Sequence, residues 1–200
     1  MLKSLCALFI TLLLLGCSDS PQLSKLSPNH TILALGDSLT YGTGVSADES
    51  YPAVLEQLTG HAVINAGIPG ETSTATLLRI EQALLEHQPA LVILCIGGND
   101  ILKRHSSQII KHNIQQLITA IQQHGSQLIL VAVPEFGLYP SAPEFYSELA
   151  AANSLALDEK SIPRMLRDSE YKSDPIHLNQ RGYRELAEAI QQLLIKHGAL

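Results

Sequence analysis

The sequence predicts a three-layer α/β domain, with a parallel sheet covered by helices on both faces. Short runs rich in Val, Ile and Leu recur without alternating polar residues, as expected of strands buried on both sides. Longer stretches with apolar residues at helical spacing separate them, and that alternation of strand and helix gives a parallel sheet. The 200-residue length suits one domain, and a chain that is 46% hydrophobic and 16% charged, without Trp, is globular in composition.

Taken in order, residues 31–35 read as the first strand, and Gly36-Asp37-Ser38-Leu39 follows it. A short helix over 51–58 leads to a strand at 62–65, and a helix over 72–87 leads to a third strand at 90–96. The clearest helix spans 107–124: Ile110, Ile114, Leu117, Ile118 and Ile121 form one stripe, and Gly125 suits the left-handed turn that ends a helix. A fourth strand covers 127–133, residues 142–152 look helical, and a weak fifth strand is signalled at 155–157. The last helix runs over 180–197, with Leu186, Ile190, Leu193 and Leu194 inward and Gly198 after it; residues 151–172 otherwise follow no clear pattern.

The folded body is expected to start near His30, giving a domain over 30–200. Before it, Lys3 precedes an apolar run over 5–15 that ends in Leu14-Leu15-Gly16-Cys17, the form of an export signal over 1–16 and too short to span a bilayer comfortably. The ending resembles the lipobox of bacterial lipoproteins, which implies acylation of Cys17 and membrane anchoring on the periplasmic side. Ser18 next to Cys17 resembles outer-membrane sorting. Residues 17–29, rich in Ser, Pro and Asn, read as the tether.

Charge and cysteines narrow the function. Removing residues 1–16 takes away Lys3 and no acid, moving the net charge from −6 to −7, which argues against a nucleic-acid partner. Cys6 leaves with the signal and Cys17 would be acylated, so Cys95, inside an apolar strand, reads as a small core side chain rather than a nucleophile.

In folds of this kind ligands bind beyond the carboxyl ends of the strands. Ser38 follows the first strand there, Gly67 and Gly70 the second, and Asn99 the third. Ser38 reads as a nucleophile or as the cap of a following helix; the chain has no Gly-x-Ser-x-Gly elbow. His177, three residues after Asp174, reads as a base with its orienting carboxylate or as a surface turn. Gly70 and Asn99 are candidate donors to an oxyanion, or a loop glycine and a turn-forming Asn. Ile101, Leu102, Phe136, Leu138, Tyr139, Phe145 and Tyr146 could line an acyl channel or serve ordinary packing. The other histidines, His30, His61, His87, His105, His112, His124 and His197, show no metal-ligand spacing and are expected in solvent.

Four separated motifs in this order resemble the SGNH hydrolases, also called the GDSL esterase/lipase family, over about residues 30–197. The likeness is strongest to bacterial arylesterases and the periplasmic thioesterase/lysophospholipase group. The resemblance implies a flavodoxin-like parallel five-stranded sheet of order 2-1-3-4-5. It places the nucleophile on Ser38, the base on His177, its orienter on Asp174, and oxyanion donors on the amides of Ser38 and Gly70 and the side chain of Asn99. It implies a serine esterase for aryl or medium-chain acyl esters, thioesters or lysophospholipids; a monomer without cofactor or metal is expected. A carbohydrate O-acetylesterase would use the same residues, and a binding lipoprotein without catalysis is the non-enzyme alternative. Gly67 stands where some relatives carry a hydroxyl residue.

Overall fold

The computed structural model describes residues 21–200; the expected signal sequence and Cys17 lie outside them. Five strands, β1 (Ile32–Gly36), β2 (Val63–Gly67), β3 (Leu91–Cys95), β4 (Gln127–Val131) and β5 (Ala156–Asp158), form one sheet in the order β2-β1-β3-β4-β5. Every neighbouring pair is parallel, so the expected order is the observed one.

The unbroken apolar strands are explained by two separate cores. Ile32 and Ala34 of β1, and Leu91, Ile93 and Cys95 of β3, face a core shared with α2 (Tyr51–Thr59), α7 (Ser161–Leu166) and α8 (Gln180–Lys196). Leu33 and Leu35, with Val92 and Leu94, face the other core, built with α3 (Ser73–His87), α5 (Ser107–Gln123) and α6 (Phe145–Ala152). Alternate residues of one strand thus point to opposite apolar layers. Two short helices, α1 (Ser38–Tyr41) and α4 (Gly98–Leu102), follow β1 and β3 directly.

Several expectations change in detail. The stretch 151–172 resolves into β5, α7 and a 3-10 turn at Ser169–Tyr171; α7 contributes Ile162, Met165 and Leu166 to the core, a pattern broken for sequence reading by Pro163. The tether is shorter than expected. Leu23 and Leu26 donate backbone hydrogen bonds to the carbonyls of His197 and Ala199, both 2.8 Å, and Leu26 is buried in the core, so the folded body begins near residue 21 rather than His30. Two histidines expected in solvent are buried: His197, whose Nδ1 meets the Pro21 carbonyl, and His61.

Candidate active site

Site geometry begins at the first turn of chain after β1. Asp37 caps α1, its Oδ1 accepting from the Leu39 amide at 3.1 Å. The acid rather than the serine therefore serves as the cap, and the Ser38 hydroxyl is free for other work. This turn fits only because two neighbours lack side chains. A Cβ on Gly36 would lie 2.2 Å from the Cys95 carbonyl, and one on Gly67 would lie 2.2 Å from the Tyr41 amide nitrogen. The glycine at 67 thus has a packing reason: the backbone of α1 rests on it.

The loop before α8 brings the imidazole to that hydroxyl. Asp174 Oδ1 accepts from the amides of Ile176 and His177, both 2.8 Å, which folds the loop around the carboxylate. Its Oδ2 lies 2.7 Å from His177 Nδ1, and His177 Nε2 lies 3.0 Å from Ser38 Oγ. An ionised carboxylate can only accept, so Nδ1 carries the proton and Nε2 presents its lone pair to the serine O–H. Partial burial works against the charge of Asp174, but the hydrogen bonds from His177 and the two amides outweigh it and hold the carboxyl below its ordinary value.

Ser38, Gly70, Asn99 and His177 line one cavity of about 180 Å³. Gly70, at φ 81°, carries its amide into the loop after β2, a conformation that favours glycine. Asn99 Nδ2 donates to the Glu71 carbonyl at 3.0 Å and to Asp37 Oδ2 at 3.3 Å. The two loops are braced from behind by Asp100, fully buried, which accepts from the amide and the hydroxyl of Ser73, each at 2.8 Å, and meets His105 Nδ1 at 3.2 Å. His105, expected free in solvent, is thus part of this brace.

Asp37 is a site group that the sequence reading passed over. It is 2% exposed, and burial pushes its carboxyl up to about 7; the Leu39 amide and His177 pull it down, while Asp100 and Glu71 push it further up. Its position immediately before the serine was the available signal.

Of the residues named for an acyl channel, Leu102 and Phe136 line the cavity. Ile101 does not, because it packs against the core shared with α3 and α5. Tyr139 does not either, standing 79% exposed beyond the cavity wall. Phe145 and Tyr146 are buried core residues, and the Tyr146 hydroxyl donates to the Ile96 carbonyl at 2.7 Å. Cys95 is buried beneath the site, and burial raises its thiol well above its ordinary value, which keeps it neutral.

A serine, an imidazole and a carboxylate in hydrogen-bond series, beside a cavity with amide donors, are the parts of an acyl-transfer site. Residues 34–185 match the model of the GDSL-like lipase/acylhydrolase family. The chain belongs to that family. It is 29% identical over 180 residues to an arylesterase of Vibrio mimicus, covering 84% of this chain and 90% of that protein. It is also 29% identical over 158 residues to esterase TesA of Pseudomonas aeruginosa, covering 75% and 77% of the two chains. Among solved structures, a psychrotrophic esterase EstA from Pseudoalteromonas sp., inhibited by monoethylphosphonate, superposes with a TM-score of 0.72 at 23% identity, covering 84% of this chain and 100% of that one. That last likeness concerns the fold. The GDSL-type hydrolase thus shares the five-stranded parallel sheet with its structural relatives.

Proposed function

We propose that this GDSL hydrolase cleaves small carboxylic esters, with aryl or acyl groups, by a two-step acyl transfer through Ser38. The series Ser38 Oγ, His177 Nε2, His177 Nδ1 and Asp174 Oδ2, spaced 3.0 and 2.7 Å, carries the reading. Ser38 Oγ attacks the carbonyl carbon as His177 Nε2 takes its proton. A tetrahedral intermediate forms, its oxyanion met by the amides of Ser38 and Gly70 and by the Asn99 amide. His177 returns the proton to the leaving oxygen as that carbon–oxygen bond breaks, leaving an acyl-serine. Water attacks in turn, giving its proton to Nε2, and Ser38 departs with that proton while the carboxylic acid is released. Thioesters would follow the same steps with sulfur leaving. Loss of one oxyanion donor costs about 3 kcal/mol in the transition state of comparable sites. The Asn99 bond to Asp37, longer than its bond to Glu71, is the one an oxyanion would displace.

A cavity of about 180 Å³ lies below the roughly 300–1,000 Å³ of drug-sized ligand pockets. It suits the reacting carbonyl with a short acyl or an aryl group between Leu102 and Phe136, and longer chains would extend outside it. Its size also suits an acetyl group, which favours a carbohydrate O-acetylesterase as the second reading. The test is a panel of aryl esters of rising acyl length, acyl thioesters, lysophospholipids and acetylated glycan, run with Ser38→Ala. Ester turnover with a short-chain optimum, absent in Ser38→Ala, is the expected result. Turnover confined to acetylated glycan supports the second reading, and full activity in Ser38→Ala overturns the assignment of the nucleophile. A folded protein that a fluorophosphonate fails to label at Ser38 would instead be a binding protein.

Export and anchoring through acylated Cys17 belong to the same proposal, supported by the apolar run over 5–15 and its Leu-x-Gly-Cys ending. Among the described residues no helix is long and apolar enough to cross a membrane; the attachment proposed is through the acyl chains on Cys17. Cys17→Ser should release the protein from the membrane fraction.

A further inference from the structure

The folded body takes up the chain at one edge of the sheet and opens its cavity at the other. Residues 21–26 lie at the amino ends of the strands. Leu23 and Leu26 bond to the carbonyls at His197 and Ala199, just past the end of α8. The Ser24 amide donates to Gln127 Oε1, and Gln127 Nε2 donates back to the Ser24 carbonyl at 2.9 Å, at the first residue of β4. The cavity residues Ser38, Gly70, Asn99 and Val133 all follow the carboxyl ends of β1 to β4.

Lengths decide what this separation means. Strands of five residues span about 16 Å at ~3.3 Å per residue, and a compact body of this size is about 40 Å across. Three residues, Ser18 to Ser20, separate Cys17 from Pro21. Fully extended, the four peptide links between them reach at most about 14 Å. If the cavity mouth rested on a bilayer, Pro21 would stand near the far side of the body, well beyond that reach. Freed up to His30, the same chain would span about 45 Å and permit it. What forbids it is the docking of residues 21–26, with Leu26 buried in the core.

We propose that residues 21–26 act as an orienting clamp, which holds the cavity away from the bilayer that carries the Cys17 acyl chains. The inference rests on the anchored reading above. It narrows the substrate to esters arriving from the aqueous side and sets aside lipids of the enzyme's own membrane.

The experiment uses the acylated full-length protein in vesicles of phosphatidylethanolamine and phosphatidylglycerol. Wild type is compared with a variant carrying a Gly/Ser insert of about 30 residues between Ser20 and Pro21, whose r.m.s. reach is about 30 Å. Two substrates are assayed: a water-soluble aryl ester, and a membrane-embedded ester chosen because both proteins hydrolyse it equally in detergent micelles. Equal turnover of the aqueous ester is expected, with turnover of the embedded ester in the enzyme's own vesicles raised by about tenfold or more by the insert, since a tether that cannot span gives an effective concentration near zero. Leu26→Ala, which loosens the clamp without lengthening the chain, should move the embedded rate in the same direction. Equal embedded turnover by wild type and insert variant overturns the clamp. Equal partitioning of wild type and Cys17→Ser into the aqueous fraction overturns the anchor, and the clamp's role with it, while the aqueous ester still reports whether the esterase reading stands.

Discussion

Asp37 shows how one buried side chain couples the site to stability. It caps α1, meets Asn99 and sits within electrostatic reach of His177. The folded protein holds its proton up to about pH 7, whereas an unfolded chain releases it near 3.8. Between those values the native state binds more protons, so the group's contribution to stability falls as pH rises, by on the order of 4 kcal/mol across the whole window. Asp174 has the opposite sign: its carboxyl is held below the ordinary value, so its contribution is present at neutral pH and lost on acidification. Urea unfolding of wild type and Asp37→Asn at about pH 4.5 and 7.5 separates the two. Wild type should lose stability toward the higher pH and Asp37→Asn should lose much less; parallel profiles would show that Asp37 ionises normally in the fold. The sequence disclosed this residue only as the neighbour of a serine, because burial and the approach of Asn99 are set by segments far along the chain.

Secondary-structure elements carry the site by close backbone contact, which places glycine where the helix after β1 touches the strands. A Cβ on Gly67 would meet the Tyr41 amide nitrogen at 2.2 Å, and neither backbone can yield without moving α1 and the Ser38 hydroxyl with it. Gly67→Ala should therefore lower stability by about 1–3 kcal/mol or more and reduce ester turnover together. Gly137, with nothing within 4 Å of an added Cβ and no positive φ, should accept Ala with little change in either. Thermal unfolding and kcat/KM for both variants make the comparison; an active, fully stable Gly67→Ala would show that α1 is not held by this contact. Gly67 was legible as a loop glycine after the second strand, but not its reason, since the partner backbone belongs to residues 40–41. Long periodic elements such as α5 and α8 were readable because an apolar stripe reports one buried face directly. α7 was not: it is six residues long, holds Pro163, and is fixed by packing against α8 rather than by its own pattern.

At the scale of the molecule, the doubly wound sheet gathers Ser38, Gly70, Asn99 and His177 at one edge although they are scattered through the chain; the placement of motifs after strands pointed to this convergence, and the family resemblance supplied the strand order. The opposite edge was the less legible one. Residues 21–29 have the composition of a tether, and only their tertiary partners, the carbonyls of His197 and Ala199 and the side chain of Gln127, show that part of the segment belongs to the body. The domain boundary is therefore itself a testable quantity. A chain beginning at His30 loses the burial of Leu26, the two backbone bonds from Leu23 and Leu26, and the cover over His197. Removing one buried Leu side chain costs about 2–5 kcal/mol in a well-packed core, and a domain of this size shifts its Tm by roughly 2–4 °C per kcal/mol. Compared with a chain beginning at Pro21, the shorter one should melt at least about 5 °C lower, while its kcat on an aqueous aryl ester stays unchanged, since the cavity lies at the far edge of the sheet. Coincident melting of the two chains would return residues 21–29 to the tether; a fall in kcat with unchanged Tm would mean that the two edges communicate through the sheet.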